Sequence, residues 1–387
     1  MRLRFVQPLV LTLVVILAVA APSAAVAGER IVAVGDVHGS YQGLTSILQR
    51  AELIDGDNHW IGGDATLVQT GDLFDRGLQV PEVLDFLMGL QDEATAAGGK
   101  VVVLLGNHEG MNLIGFFRDV NPDLYASFAD AKSEKRRKKG FRDFKSYWHA
   151  HAAAEGLQPP KFNAEVEANW MAAYPPGFIE YMEALGPEGR YGKWLRTLPV
   201  AVLIGDVLFV HGGVGPELRG MTVEEINLKV ARELAVFDEA RAYMVKQRLI
   251  PTTAGLNSMV AEYRKMENPK PVLAGLADVD QWFIRWEHGP LWFRGGARWD
   301  EETQGAEMAE ILDGIGALRV VGGHTVQHPR RIQVRFDGRV ILIDTGMLTS
   351  HYDGRPSALV IEDGTYKAIY ADGGEDVLLE EALPDAA

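Results

Sequence analysis

Five short polar stretches carry the residues able to do chemistry: GDVHG at 35–39, GDLFDRG at 71–77, GNHE at 106–109, HGG at 211–213 and GHT at 323–325. Taken singly, the last three mean little, because a histidine after a strand is ordinarily just hydrogen-bonded. Together and in this order the five resist a packing explanation, since burying unpaired charge is costly. Two Asp, one Asn and three His are instead donors that hard and borderline divalent ions take. Two such ions ~3.5–4 Å apart clamp a phosphate and activate a water. The glycines beside these donors let the chain turn sharply and bring backbone close to a substrate.

The elements that must position these stretches are legible from periodicity. IVAVGD reads as a buried strand, YQGLTSILQRAEL as an amphipathic helix, ATLVQTGD as a strand, VPEVLDFLMGLQDEATAAG as a helix and KVVVLLGNHE as a third strand. Strands separated by helices of this length imply parallel βαβ units, whose ligands bind outside the carboxyl ends of the strands. Residues 110–198 read as mostly helical, with a basic run KSEKRRKKG at 132–140 taken as a solvated face. LPVAVLIGDVLFVHGG reads as a hairpin turning near Gly205 and Asp206, and a second helical block covers about 222–265. A tryptophan-rich stretch, the strand ALRVVGGHT and two hairpins turning at Asp337-Gly338 and Asp363-Gly364 close the chain. Polar strand ends spread from residue 35 to 325 favour one domain, 28–387, with helical insertions at about 115–198 and 222–290.

Composition narrows the partners. At 387 residues and 47% hydrophobic content the chain can bury a sizeable core. A formal charge of −15 repels polyanions, so no nucleic-acid partner is expected. The absence of cysteine excludes disulfides, thiolate metal sites and cysteine nucleophiles. Arg2 and Arg4, the apolar LVLTLVVILAVAA and the small-x-small AVA at 25–27 form a signal peptide cleaved after Ala27, giving a periplasmic or secreted protein. An uncleaved anchor is the competing reading, but Pro22 and Ser23 interrupt the run short of the ~20 residues a spanning helix needs. No stable membrane anchor is therefore expected after cleavage.

The series GDxHG, GDxxDRG, GNHE resembles the calcineurin-like metallophosphoesterases, and within them the PPP-type branch. The longer text GNHEGMNLIGFFRDV, with YPPGF, LPV and FVHGGV, resembles the bacterial Shewanella-like phosphatases. The resemblance implies an α/β fold, a β-sandwich flanked by helices in α-β-β-α layers, and two metal ions. Mixed oxygen and nitrogen donors suit Mn, Fe or Zn. By matching position, Asp36 and His38 would bind the first ion, Asp72 would bridge both, and Asn107, His211 and His324 would complete the second. His108 would protonate the leaving alkoxide while Asp75 holds its imidazole, keeping the acid charged near neutral pH. Arg76 would grip two phosphate oxygens with its planar fork, joined by Asn107 and by a second arginine. For that second arginine GPLWFRG favours Arg294, with Arg298 and Arg285 behind it and stacking among tryptophans as the plain structural alternative. A metal-bridging hydroxide would attack phosphorus directly, without a phosphoenzyme.

The expected substrate is a phosphorylated protein or peptide, with phosphotyrosine and phosphoserine or phosphothreonine all within the implied range. The segment LIDTGM at 342–347 departs from the SAPNY of the eukaryotic Ser/Thr phosphatases and is closer to diadenosine-polyphosphate hydrolases. Hydrolysis of a dinucleoside polyphosphate or another small phosphoester is therefore one alternative. An inactive module that binds phosphorylated partners is another. Glu82 is read as a helix first-turn residue favouring the dipole; His149 and His151 lie two apart and face different ways on a helix; His328 is left out of the metal site because Val326 stands where a further ligand would.

Overall fold

The computed structural model describes residues 30–380, so the expected signal peptide, 1–27, lies outside the described residues. Eleven strands form two sheets. They are β1 (Ile31–Val34), β2 (Thr66–Gln69), β3 (Lys100–Val103), β4 (Ala201–Ile204), β5 (Val207–Val210), β6 (Arg319–Gly322), β7 (Gln333–Arg335), β8 (Val340–Leu342), β9 (Ser357–Glu362), β10 (Thr365–Tyr370) and β11 (Glu375–Glu380). The first sheet runs β11-β10-β9-β1-β2-β3 and the second β4-β5-β6-β8-β7.

Side-chain alternation turns these sheets into a sandwich. Ala33, Val68 and Val102 share one buried cluster with Phe209, Val321 and Ile341 of the second sheet. Their neighbours Val32, Leu67, Val101, Leu208, Val320 and Val340 belong instead to the larger core formed with the helices. Successive residues of a strand face opposite sides, so both faces of each sheet are covered and the layers read helix, sheet, sheet, helix. The helices Tyr41–Arg50 and Val80–Ala97 are the crossovers that make β1, β2 and β3 parallel. In the second sheet β5, β6 and β8 are parallel. Each parallel trio delivers its carboxyl ends to a single edge, which is where the polar stretches begin.

Both hairpin turns near Gly205 and Gly338 fall where the sequence places them. β11 is an addition: it pairs with β10 after Gly373 and Gly374, at an edge where Val377, Leu378 and Leu379 between charged residues make too short an apolar run to read as a strand. Between the helix Asn107–Leu113 and β4 come five helices, the longest Ser133–Ala154. Between β5 and β6 the main helices are Val223–Lys246 and Glu301–Ile315, with the shorter Leu256–Tyr263 between them.

The basic run is not a uniformly solvated face. Arg137 is only 8% exposed, donating Nε to Tyr174 O at 2.7 Å and Nη2 to Met171 O while also pairing with Glu134. Arg136 bonds both Asp130 and Glu180. Ser133, Arg137, Gly140 and Phe141 form a buried stripe at helical spacing, so this stretch clamps its neighbours as well as facing water. Among the described residues no helix is long and apolar enough to cross a membrane.

Candidate active site

The loops after β1 and β2 are tied together by backbone: Val37 and His38 N–H both donate to Asp72 O at 2.9 Å, and Gly39 N–H donates to Leu73 O at 2.9 Å. The loop after β6 is tied to that after β5 by Gly323 N–H on His211 O, 2.9 Å. His38, Asp72, Asp75, Arg76 and His324 all have φ between 47° and 69°, a left-handed conformation that costs non-glycine residues energy and that the surrounding bonds must hold. Glycine is required where backbone passes the carboxylates. A Cβ on Gly106 would lie 2.3 Å from Asp72 Oδ1, and one on Gly323 2.3 Å from Asp36 Oδ1.

Tautomers follow from the carbonyls that each ring meets, because a carbonyl only accepts. His211 Nδ1–H donates to Thr70 O at 2.9 Å, and His324 Nε2–H donates to Trp292 O at 3.1 Å. This leaves His211 Nε2 and His324 Nδ1 as bare lone pairs 3.1 Å apart. Asn107 Oδ1 lies 2.9 Å and Asp72 Oδ1 3.3 Å from that same His211 Nε2. With His211 neutral, four electron-rich atoms thus converge with no hydrogen of their own between them, a cradle for a cation. On the other side of Asp72, His38 Nδ1–H donates to Phe74 O at 2.7 Å. Its Nε2 faces Asp72 Oδ2 at 3.7 Å and Asp36 Oδ2 at 3.9 Å. Asp72 is common to two donor groups, one with His38 and His108 and one with His211 and His324. The donor set fits divalent ions: Asp36, His38 and Asp72 on one side, Asp72, Asn107, His211 and His324 on the other.

Without a cation the protons respond to the crowding. Burial would lower His211, but Asp72 and Asp36 outweigh it and lift its pKa to about 9. Burial and the neighbouring Asp344 hold Asp36 well above the usual carboxylate range. Burial also raises Asp72, yet His211 and His108 more than reverse this and keep it ionised. Burial pushes His38 and His324 down, leaving both neutral.

His108 stands apart from the cradle in its bonding. Its Nδ1–H donates to Asp75 Oδ2 at 2.5 Å, and its Nε2 faces Asp72 Oδ2 at 3.8 Å. Burial disfavours its cation, but Asp72 and Asp75 prevail and its pKa is raised. Arg76 Nη1 donates to the His38 Nε2 lone pair, placing a guanidinium at the rim of the cradle. Arg294 reaches the opposite rim, where Nη1 donates to His324 O at 2.8 Å and Thr325 Oγ1 at 2.7 Å, and it does not stack on a tryptophan ring. Arg285 is engaged with Asp280, and Arg298 adds its charge beside Arg294.

His328 is exposed, accepts from Arg330 and belongs to neither donor group. His151 stacks on Tyr147 while His149 contacts Phe162, so the two point apart. Glu82 lies in the first turn of Val80–Ala97. Three supporting residues escape a reading of motifs. Glu109 accepts the N–H groups of Asp72, Leu73, Phe74 and Gly106 at 2.7–3.2 Å. Asn112 donates to both Asp75 oxygens and accepts from Tyr181 at 2.6 Å. Asp344, in the LIDTGM segment after β8, is buried beside Asp36 and accepts Gly346 N–H at 2.9 Å.

The profile of the calcineurin-like phosphoesterase family matches residues 29–328. Shewanella-like protein phosphatase 2 of Arabidopsis thaliana is 30% identical over 353 residues, covering 86% of this chain and 75% of that protein. Shewanella-like protein phosphatase 1 of Plasmodium berghei is 28% identical over 345 residues, 88% of this chain and 74% of that one. Among solved structures, the cold-active protein-tyrosine phosphatase of a psychrophilic Shewanella species superimposes with a TM-score of 0.60 at 27% identity, covering 91% of this chain and 80% of that chain.

Proposed function

The chain belongs to the calcineurin-like phosphoesterase family and is a metal-dependent phosphatase of Shewanella-like type, and from that premise we propose that it is an exported, two-metal phosphoprotein phosphatase acting on phosphotyrosine, on phosphoserine or phosphothreonine, or on both classes. The observation that carries this reading is the convergence of two groups of potential ion ligands on one carboxylate, Asp72, with the His108–Asp75 pair and Arg76 at their rim. Ions held there by Asp36, His38, Asp72, Asn107, His211 and His324 would supply Lewis-acid charge and an activated water for in-line displacement at phosphorus.

The remaining steps belong to the chain's own side chains. Arg76 and Arg294 face the cradle from opposite rims and orient the phosphoryl oxygens, the guanidinium fork of Arg76 taking two at once. Asn107 contributes its amide at the same place. His108 is the general acid: its Nε2 faces the cradle while Asp75 fixes its Nδ1–H and favours the imidazolium. A groove of about 630 Å³ leads away from Arg76 past Ser40, Gln79, Asn121, Thr349 and Ser350, more room than a phosphate alone requires. Its lining mixes these neutral polar groups with Leu78, Met347, Leu348 and Pro356, which suits a peptide's backbone and apolar side chains, and the tyrosine phosphatase named among the relatives supports the aryl ester. Export is supported by the signal peptide read in residues 1–27 and by the cysteine-free composition.

The test is phosphate release from phosphotyrosine and phosphoserine peptides, beside diadenosine tetraphosphate, with Mn²⁺ and with chelator. Chelator-sensitive turnover of a phosphopeptide is expected. Turnover of the dinucleotide alone would overturn the substrate, and binding of phosphopeptide without hydrolysis would make the protein a binding module.

A further inference from the structure

A second pocket, half open to solvent, lies behind the acid pair. The helices Asn107–Leu113, Ser133–Ala154, Phe178–Leu185 and Val223–Lys246 line a cavity of about 360 Å³ that opens to solvent, and none of the residues assigned above to ions, phosphate or the proton lines it. Its size falls within the ~300–1,000 Å³ of small-molecule sites. Leu113, Phe117, Ile179, Met182 and Phe237 make much of the wall apolar.

The charges in that wall are not evenly neutralised. Arg136 bonds Asp130 and Glu180, Lys139 pairs with Asp143 at 3.4 Å, and Arg196 grips Asp238 through two bonds of 2.7 and 2.9 Å. Arg241 is different: it gives Nε to Ala254 O at 3.0 Å and Nη2 to Thr252 O at 2.5 Å, and among the described residues no carboxylate lies within 4.0 Å of it. The acid that most affects it, Asp238, is already committed to Arg196. Arg241 is half-buried, and a guanidinium whose described partners are two carbonyls keeps its charge uncompensated, which favours an anion beside it. One such cation on an apolar wall selects a monoanion with an apolar body; a polyphosphate would leave most of its charge unpaired there.

The cavity also touches the catalytic machinery at one point. Asn112 lines it, and the same side chain donates to both oxygens of Asp75 at 3.0 and 3.1 Å and accepts the Tyr181 hydroxyl. We propose that this cavity is an effector site for a small amphipathic monoanion of the medium-chain carboxylate class, with its head on Arg241 and its apolar body against Phe237 and Met182, and that occupancy acts on turnover through Asn112. Because the contact reaches the support of the acid and not the phosphate site, it alters kcat at unchanged KM.

The experiment titrates decanoate into the Mn²⁺-loaded full chain by calorimetry, with decanol and acetate as controls, and repeats phosphopeptide kinetics at saturation. Saturable one-site binding of decanoate is expected, with neither control binding comparably. Arg241→Gln should weaken it by at least about tenfold, the loss of one charge-assisted contact. Arg241 also holds two loop carbonyls, so Met182→Trp, which fills the cavity and leaves the guanidinium in place, provides an independent block. Absence of saturable binding, equal binding by either variant, equal binding of decanol, or binding with kcat unchanged would each overturn the proposal. The calorimetric arm needs no turnover, so failure of the phosphatase reading and failure of this one are told apart.

Discussion

His108 Nδ1 and Asp75 Oδ2 lie 2.5 Å apart, and the far side of Asp75 is closed by Asn112, so the imidazole has one orientation, with Nδ1–H directed away from the cradle and Nε2 toward it. Its pKa is raised, with burial opposing and the Asp72 and Asp75 charges prevailing. The imidazolium is therefore full below the ordinary histidine value and is lost as pH rises through a higher one.

Asp75→Asn removes one of the two charges that sustain the imidazolium. We expect the alkaline limb of the kcat profile to move to lower pH and kcat at neutral pH to fall, the whole contribution of such an acid being ~10²–10⁴-fold. A pH–rate profile for a phosphoserine peptide measures both. An unmoved limb would mean that Asp75 does not tune the acid.

Ion removal should be felt first at His211. In the ion-free protein its pKa is lifted to about 9 from an ordinary 6.5. A histidine raised on folding contributes stability that is complete below the ordinary value and is lost as pH rises through about 9. Ion binding has the opposite dependence, since below that pH the ion must displace a proton. Calorimetry of Mn²⁺ binding in buffers of different ionisation enthalpy should show proton release at pH 7.5, and affinity should rise toward pH 9. At a hundredfold excess over the dissociation constant the ion should add ~2.7 kcal/mol to unfolding stability. Equal heats in all buffers would rule out the displacement.

Glu109 offers a prediction separable from ions. Its carboxylate accepts four backbone N–H groups from the loops that present Asp72 and Asn107. Glu109→Ala leaves buried donors unmatched at ~1–3 kcal/mol each, so the ion-free protein should lose at least ~3 kcal/mol in urea unfolding. Wild-type stability in chelator would show that these loops hold themselves.

The way these residues became visible, or did not, has a physical basis. Strand ends, the crossover helices and the turn at Gly205 were readable because apolar periodicity and turn chemistry are local. Asp36 and Asp72 were readable because charge at the end of an apolar run has no packing use, whereas His211 and His324 were readable only through the ordered series of motifs and the family it resembles. Glu109 sat inside a quoted motif, but its partners are backbone N–H groups, which every residue has and no pattern marks. Asn112 and Tyr181 are 69 residues apart, so their bond depends on tertiary docking of the helix Phe178–Leu185. Arg137 was hidden by the basic residues around it, although the stripe Ser133, Arg137, Gly140, Phe141 had helical spacing. β11 carries too little apolar sequence to announce a strand.

Tyr352 was unmarked for the same reason as Tyr181, and it yields a test of substrate grip. Its ring lies 5.2 Å from the Arg76 guanidinium and 5.6 Å from the His38 ring, flooring the position from which Arg76 meets phosphate. Removing the ring should release Arg76 while leaving every ion ligand in the chain. A cation–π contact is ~0.5–2 kcal/mol, so Tyr352→Ala should weaken inhibition by inorganic phosphate by ~2–30-fold. Tyr352→Phe keeps the face and should stay near wild type. Arg76→Lys keeps the charge but loses the fork, and should raise KM and lower kcat together. If Tyr352→Phe and Tyr352→Ala behave alike, the hydroxyl and not the ring is what Arg76 depends on.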